Sequence, residues 1–224
     1  MFNRNTIAFL ENLKLNNNRD WFNEHKEEYE SFVRTPALRF IEAFQPELKK
    51  LSPYFLAIPK KVGGSMMRPY RDTRFSKDKT PYKTNVGIQF RHQFGKDVHA
   101  PGFYLHIATD EAFVGAGMWH PESKALKNIR ELIDEAPAAW KKVKTNKSLF
   151  SEFEMVGESL TNPPRGFAKD HPNIEDLKRK DFMVIAPLSK KELYDKNIVK
   201  IITKKYKKTL PLVRFLCEAQ QLNF

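Results

Sequence analysis

Apolar residues recur at helical spacing through the first fifty positions. Ile7, Leu10 and Leu13 form one stripe, which Asn16, Asn17 and Asn18 bring to an end. The next run predicts a helix from about Asn18 to Arg34. Its apolar face carries Trp21, Phe22, His25, Tyr29, Phe32 and Val33, with Glu24, Lys26, Glu27 and Glu28 around the rest. Thr35-Pro36 then supplies a capping residue and a proline suited to the first helical position. The third predicted helix aligns Phe40, Ile41, Phe44, Leu48 and Leu51, and Ser52-Pro53 closes it.

After Pro53 the period shortens to two. Thr84 to Phe94 alternates Val86, Ile88 and Phe90 with polar residues, and Gly102 to Ala108 alternates Phe103, Leu105 and Ile107 with Tyr104 and His106. Thr109-Asp110-Glu111 is short enough to join that strand to Ala112–Trp119 as a hairpin. Gly115 and Gly117 in the second strand mark a bulge or a close backbone approach. His120-Pro121 restarts helix, with Leu126, Ile129, Ile133 and Ala136 on its buried face. Trp140 and Val143 belong to a further helical stretch, and Leu149, Phe150, Phe153 and Met155 to another. The run Thr161 to Phe167 reads as an ordered loop. His171-Pro172 starts a short helix through Leu177, and Phe182 to Pro187 is one more strand. Ser189 with Glu192 forms a capping box before a C-terminal helical region that runs to about Gln221, broken or kinked at Pro211.

Helices, then strands, then helices with another strand define an α+β class rather than regular βαβ units. The expectation is a single domain over residues 1–224, with a mostly antiparallel central sheet flanked by N- and C-terminal helices. Composition agrees: 18 Phe, 7 Tyr and 3 Trp among 224 residues give ample apolar surface to bury, which argues against disorder. Cys217 is the lone cysteine, so neither an internal disulfide nor a cysteine-rich zinc site is available, and a reducing, cytoplasmic setting is expected. No run approaches the ~18 apolar residues of a membrane span, so no membrane partner is expected.

Charge sharpens the picture. The formal net charge is +12, and it is unevenly distributed. Lys60 to Lys83 holds eight basic residues against Asp72 and Asp78, and Lys190 to Arg214 holds nine against Glu192 and Asp195. These segments carry the whole excess. The C-terminal one interleaves lysines with Ile198, Val199, Ile201, Ile202 and Tyr206. It therefore reads as an amphipathic helix with a lysine outer face, either solvated or able to meet phosphates without regard to sequence.

The central segment is different in kind. Arg68, Arg71, Arg74, Lys77, Lys79, Tyr82 and Lys83 lie within sixteen residues, with Asp72 and Asp78 among them. Guanidinium forks suit phosphate and carboxylate, and the aspartates can orient the cations. The three arginines, three residues apart, converge only where the backbone turns. Two readings stand: an anion-binding site, or a salt-bridged loop that fixes the sheet to the helices. The string from Arg71 to Lys83, RDTRFSKDKTPYK, resembles the signature of the family catalogued as domain of unknown function 2461. Supporting stretches are Phe9-Leu10, Asn16 to Asn18, Trp21-Phe22, Pro101 to Leu105, Gly115 to Gly117, Pro164 to Phe167 and Asp170 to Pro172. The resemblance spans nearly the whole chain. It implies a single-domain protein and brings no reaction, cofactor or catalytic residue.

Other chemistry is thinner. The six histidines, His25, His92, His99, His106, His120 and His171, make no HxH or HExxH pattern, and no metal or cofactor is expected. His106 and His120 are placed to approach one another across the hairpin. Ser76 to Lys79 matches S-x-x-K, but its companion motifs are missing. Cys217 sits among apolar neighbours and reads as a small buried hydrophobe. Nine glycines leave little for a phosphate-cradling loop, so side chains must supply any anion contact. Three functions follow as expectations. The first is binding of a phosphate- or carboxylate-bearing ligand at Arg68, Arg71, Asp72, Arg74, Lys77, Lys79, Tyr82 and Lys83, joined by Arg165. The second is a nucleic-acid-binding module using both basic segments. The third is a hydrolase or transferase on an anionic substrate, with His171 or Asp72 as the acid–base group.

Overall fold

A computed structural model describes residues 1–95 and 100–224; His99, one of the six histidines, falls outside the described residues. The chain opens with helices α1 (Arg4–Leu15), α2 (Arg19–Glu24) and α3 (Lys26–Glu28), a π-helical turn (Tyr29–Arg34) and α4 (Thr35–Leu51). Strands β1 (Asn85–Arg91), β2 (Gly102–Ala108) and β3 (Ala112–Met118) follow, then helices α5 (Ser123–Glu135), α6 (Pro137–Lys144) and α7 (Lys147–Phe150). The remaining elements are β4 (Glu154–Val156), α8 (Ile174–Leu177), β5 (Phe182–Pro187), α9 (Lys190–Leu193) and α10 (Ile198–Ala219). The strands form one antiparallel sheet in the order β1-β2-β3-β5-β4. The fold is α+β, with helices at both ends of the chain.

The strand alternation sets the two faces. Val86, Ile88 and Phe90, Phe103, Leu105 and Ile107, Val114 and Ala116, and Phe182, Val184 and Ala186 are all buried on one side. There they meet α4 and α10, whose stripes of Phe40, Phe44, Leu48 and of Ile202, Tyr206, Val213 are equally buried. The other face carries Asn85, Gln89, Tyr104, His106 and Phe113, which are only half-buried. Helices thus cover one face of the sheet, and the polar face looks outward.

Several local expectations are corrected. The predicted helix from Asn18 to Arg34 starts at its Asn18 cap but breaks at His25 and rewinds as a π-turn. His25 is half-buried, stacked on Trp21 at 4.1 Å, rather than deep in the core. Thr35 does not cap, because Arg34 before it is already helical and the Thr35 N–H bonds back to Glu30. Met155 is strand, not helix: it pairs with Val184 on the outer edge of β5, and that pairing overrides the local pattern. Pro211 lies inside α10, which continues through it. The Ser189–Glu192 capping box is present at α9.

In the core, Tyr206 stands between Phe44 (5.8 Å) and Phe103 (4.9 Å), fully buried, and its hydroxyl has no hydrogen-bond partner among the described residues. A buried hydroxyl that stays unpaired carries a desolvation penalty of about 1 kcal/mol or more. Tyr206→Phe should therefore raise Tm in thermal unfolding by about 2–4 °C. A fall in Tm would mean that the hydroxyl has a partner.

Candidate functional site

The chain before β1 clasps that strand's outer edge. Backbone N–H groups of Met67, Gln89 and Leu56 donate to Gly87, Ser65 and Arg91 at 2.9, 2.8 and 3.0 Å. The pairing continues past the strand's start, where Lys83 N–H donates to Pro69 (2.7 Å) and Arg71 N–H to Pro81 (2.9 Å). Arg71 and Lys83, twelve positions apart, are thereby brought together at the neck of a loop. The clasp also shields an edge that would otherwise be exposed to stray pairing.

Between this clasp and the outward face of the sheet lies a cleft of about 710 Å³. That volume is within the ~300–1,000 Å³ usual for small-molecule sites. Arg71, Asp72 and Lys83 stand at its basic end, and Asn85, Tyr104 and His106 line it next. Gln89, Gly102, Gly117 and Trp119 lie farther along. Most of its wall is apolar, with Met67, Phe113 and Met183 contributing.

Part of the signature holds itself together. Arg74 grips Asp72 with two contacts, at 3.0 and 2.7 Å, and this guanidinium holds the Asp72 carboxyl down at about 2. Arg71 bonds Asp78 and Thr80, and the Arg71 contact is the main cause that draws Asp78 to about 2. Lys79 donates to the Thr73 carbonyl at 2.8 Å. Arg68, Arg74, Lys77 and Lys79 are exposed and stand off the cleft. Tyr82 is buried, stacked on Phe22 at 4.0 Å, while Asn17 bonds its backbone on both sides, so it anchors the loop to the N-terminal helices. The two readings of the segment thus apply in part to different residues. Asp78, Arg74, Lys79 and Tyr82 build the loop and Lys83 faces the cleft, while Arg71 and Asp72 do both, pairing with Asp78 and Arg74 and lining the cleft.

Lys83 is the unusual group. It is half-buried, and among the described residues no carboxylate lies within ion-pair distance of it. Burial first, and then the Arg68 cation, lower its pKa. The side chains of Asn85 and Gln89, also half-buried, make no hydrogen bond to described residues. Deeper in, the Tyr104 hydroxyl meets His106 Nδ1 at 3.1 Å, and the His106 ring stacks on Phe113 at 4.7 Å and 6°. Burial raises Tyr104 to about 12 and lowers His106, with Glu111 opposing the second shift. Sequence patterning marked Tyr104, His106 and Gly117 as strand residues, but nothing in it marked Asn85, Gln89 and Trp119 as lining one cleft with Lys83. Only the sheet register joins them.

Arg165 and His171 lie elsewhere. Arg165 is exposed, and His171 Nε2 meets Asp134 of α5 at 3.0 Å; neither lines the cleft. His106 and His120 also have separate surroundings, His120 pairing with Asp181 at 2.9 Å. Among the described residues no cluster of His, Cys, Asp and Glu is arranged to hold a metal. Burial pushes the Cys217 thiol up to about 12, which makes it a poor nucleophile. No helix among the described residues is long and apolar enough to cross a membrane.

An α+β fold with a ligand-sized cleft beneath an Arg/Lys signature is the class these features define. The chain belongs to the family described as conserved hypothetical protein (DUF2461), whose model matches residues 5–215. Comparison with curated proteins and with solved structures found no match.

Proposed function

We propose that the protein binds a phosphate- or carboxylate-bearing small molecule in the cleft, with the anion at Arg71 and Lys83. The observation that carries this reading is the half-buried Lys83 ammonium with no carboxylate beside it among the described residues. Such a cation lowers its free energy when an anion arrives, and the low-polarity surroundings strengthen the contact. Asp72 opposes anion entry only weakly, because Arg74 already engages both of its oxygens. Tyr104, farther along the wall, adds a neutral hydroxyl to the cleft.

Calorimetric titration with pyrophosphate and with citrate tests the reading. Arg71→Ala should weaken binding by about tenfold or more, the usual effect of losing a charged hydrogen bond. Arg74→Ala, outside the cleft, should weaken it far less, and only by uncovering the Asp72 carboxylate. Loss of the partly exposed ion pairs should change stability little in either variant. Equal affinity in both variants, or no binding by the wild type, would refute the site.

A further inference from the structure

The order of groups along β1 says more about the ligand than its charge. Lys83 lies four residues before Gly87, and Gly87, His106 and Phe113 form one cross-strand row. Four residues of strand span about 13 Å, part of which an extended lysine side chain closes. Phe113 and His106 stack nearly parallel and face to face, so the row offers the cleft the outer faces and edges of this aromatic pair. Asn85, between the cation and this surface, has an amide without a partner among the described residues.

Gly115 adds an independent observation. A β-carbon there would meet nothing nearer than 3.5 Å, and its neighbours would be Val184, Ile185 and Tyr104. The backbone therefore does not demand glycine at this position, and the missing side chain leaves a methyl-sized gap beside Tyr104. Gly117 differs, because its φ of +128° and a β-carbon only 2.1 Å from the Phe182 carbonyl do require glycine. A simple alkyl tail would fill the space but leave the half-buried amides unpaired, which is unfavourable. A ring with hydrogen-bonding edges satisfies both.

Resting on the anion-site reading, we propose that the anion is carried by a planar, hydrogen-bonding ring system, the chemistry of a nucleoside 5′-monophosphate. The phosphate sits at Lys83 and Arg71, the base stacks on the Phe113–His106 surface, and Asn85 meets the base edge. Stacking on an aromatic side chain contributes about 1–3 kcal/mol per base, and Asn and Gln amides suit base edges.

Calorimetry with adenosine and uridine 5′-monophosphates, ribose 5-phosphate and adenosine tests this. At least one nucleotide should bind tenfold or more tighter than ribose 5-phosphate. Phe113→Leu and Asn85→Ala should each reduce that advantage by about fivefold or more while leaving ribose 5-phosphate affinity unchanged. The Asn85 side chain holds no hydrogen bond among the described residues, so its variant stays readable if Phe113→Leu folds poorly. Equal binding of nucleotides and ribose 5-phosphate overturns the ring and leaves the anion site standing. Adenosine binding as tightly as its monophosphate overturns the anion site itself. An advantage unmoved by either variant overturns the placement of the ring, and binding of none of the four overturns both proposals.

Discussion

Asp181→Ala should lower stability by about 3–5 kcal/mol, from two stranded backbone donors at about 1–3 kcal/mol each and the void left behind. For a chain of this length that is a fall in Tm of roughly 6–20 °C, readable by calorimetry or circular dichroism. Asp181 is fully buried just before β5 and accepts hydrogen bonds from two separate segments. Its Oδ1 takes the His120 N–H at 2.7 Å and faces His120 Nδ1 at 2.9 Å; its Oδ2 takes the Glu158 N–H at 2.9 Å. Alanine would strand two backbone donors and open a void.

The surrounding backbone is shaped for this carboxylate. His120 adopts a left-handed φ of 46°, unfavourable for a residue with a side chain. Gly157, at φ 111°, leaves no room for a β-carbon, which would stand 2.3 Å from Asp181 Cβ. The knot therefore fixes the end of β3, the turn after β4 and the start of β5 at one point. Trp119, stacked on His120 at 4.3 Å, also lines the cleft, so the same variant should loosen that wall. A Tm within 2 °C of wild type would refute the role given to Asp181. Gly157→Ala gives a second reading of the same knot and should destabilise in the same direction.

How far the sequence carried the argument differs by element. β1, β2, β3 and β5 were legible because period-2 alternation survives wherever one face is buried: Ile88, Leu105, Val114 and Val184 are each fully enclosed. β4 was not, since Met155 becomes strand only by pairing with a segment almost thirty residues away. The signature was visible as a charged string, but its division between loop-building and cleft-facing residues was hidden. Arg71 and Arg74 look alike in sequence, and only the pairing of Arg71 with Pro81 turns one toward the cleft neck. Tyr82 looked like a ligand contact and is a core anchor, because Phe22 and Asn17 reach it from the first helices. The apolar stripe and lysine face of α10 are legible from spacing alone, but not that Lys205 and Lys208 are engaged by Glu152, and Lys205 also by Glu192.

Lys83→Met should make the ligand-free protein more stable and nearly abolish anion binding. Methionine keeps the apolar stem that packs along the cleft while removing the charge. The sign follows from linkage. Burial lowers the Lys83 pKa in the fold below its ordinary 10.5, so between those two values the unfolded chain binds more protons. Stability contributed by this group therefore rises with pH across that window, and at neutral pH the fold carries the ammonium at a cost. Methionine carries none, so the variant's Tm at pH 7 should exceed that of the wild type. The variant should also lose the wild type's stability gain as pH rises toward 10.5. An anion reverses the penalty by favouring the charged form, so wild-type binding within that pH window should take up protons, seen as a buffer-dependent heat. In the variant that uptake should vanish and pyrophosphate affinity fall by about 10–100-fold. A Tm gain with unchanged affinity would place Lys83 outside the site. A Tm loss would mean that the ammonium has a stabilising partner in the fold and would remove the observation on which the anion site rests.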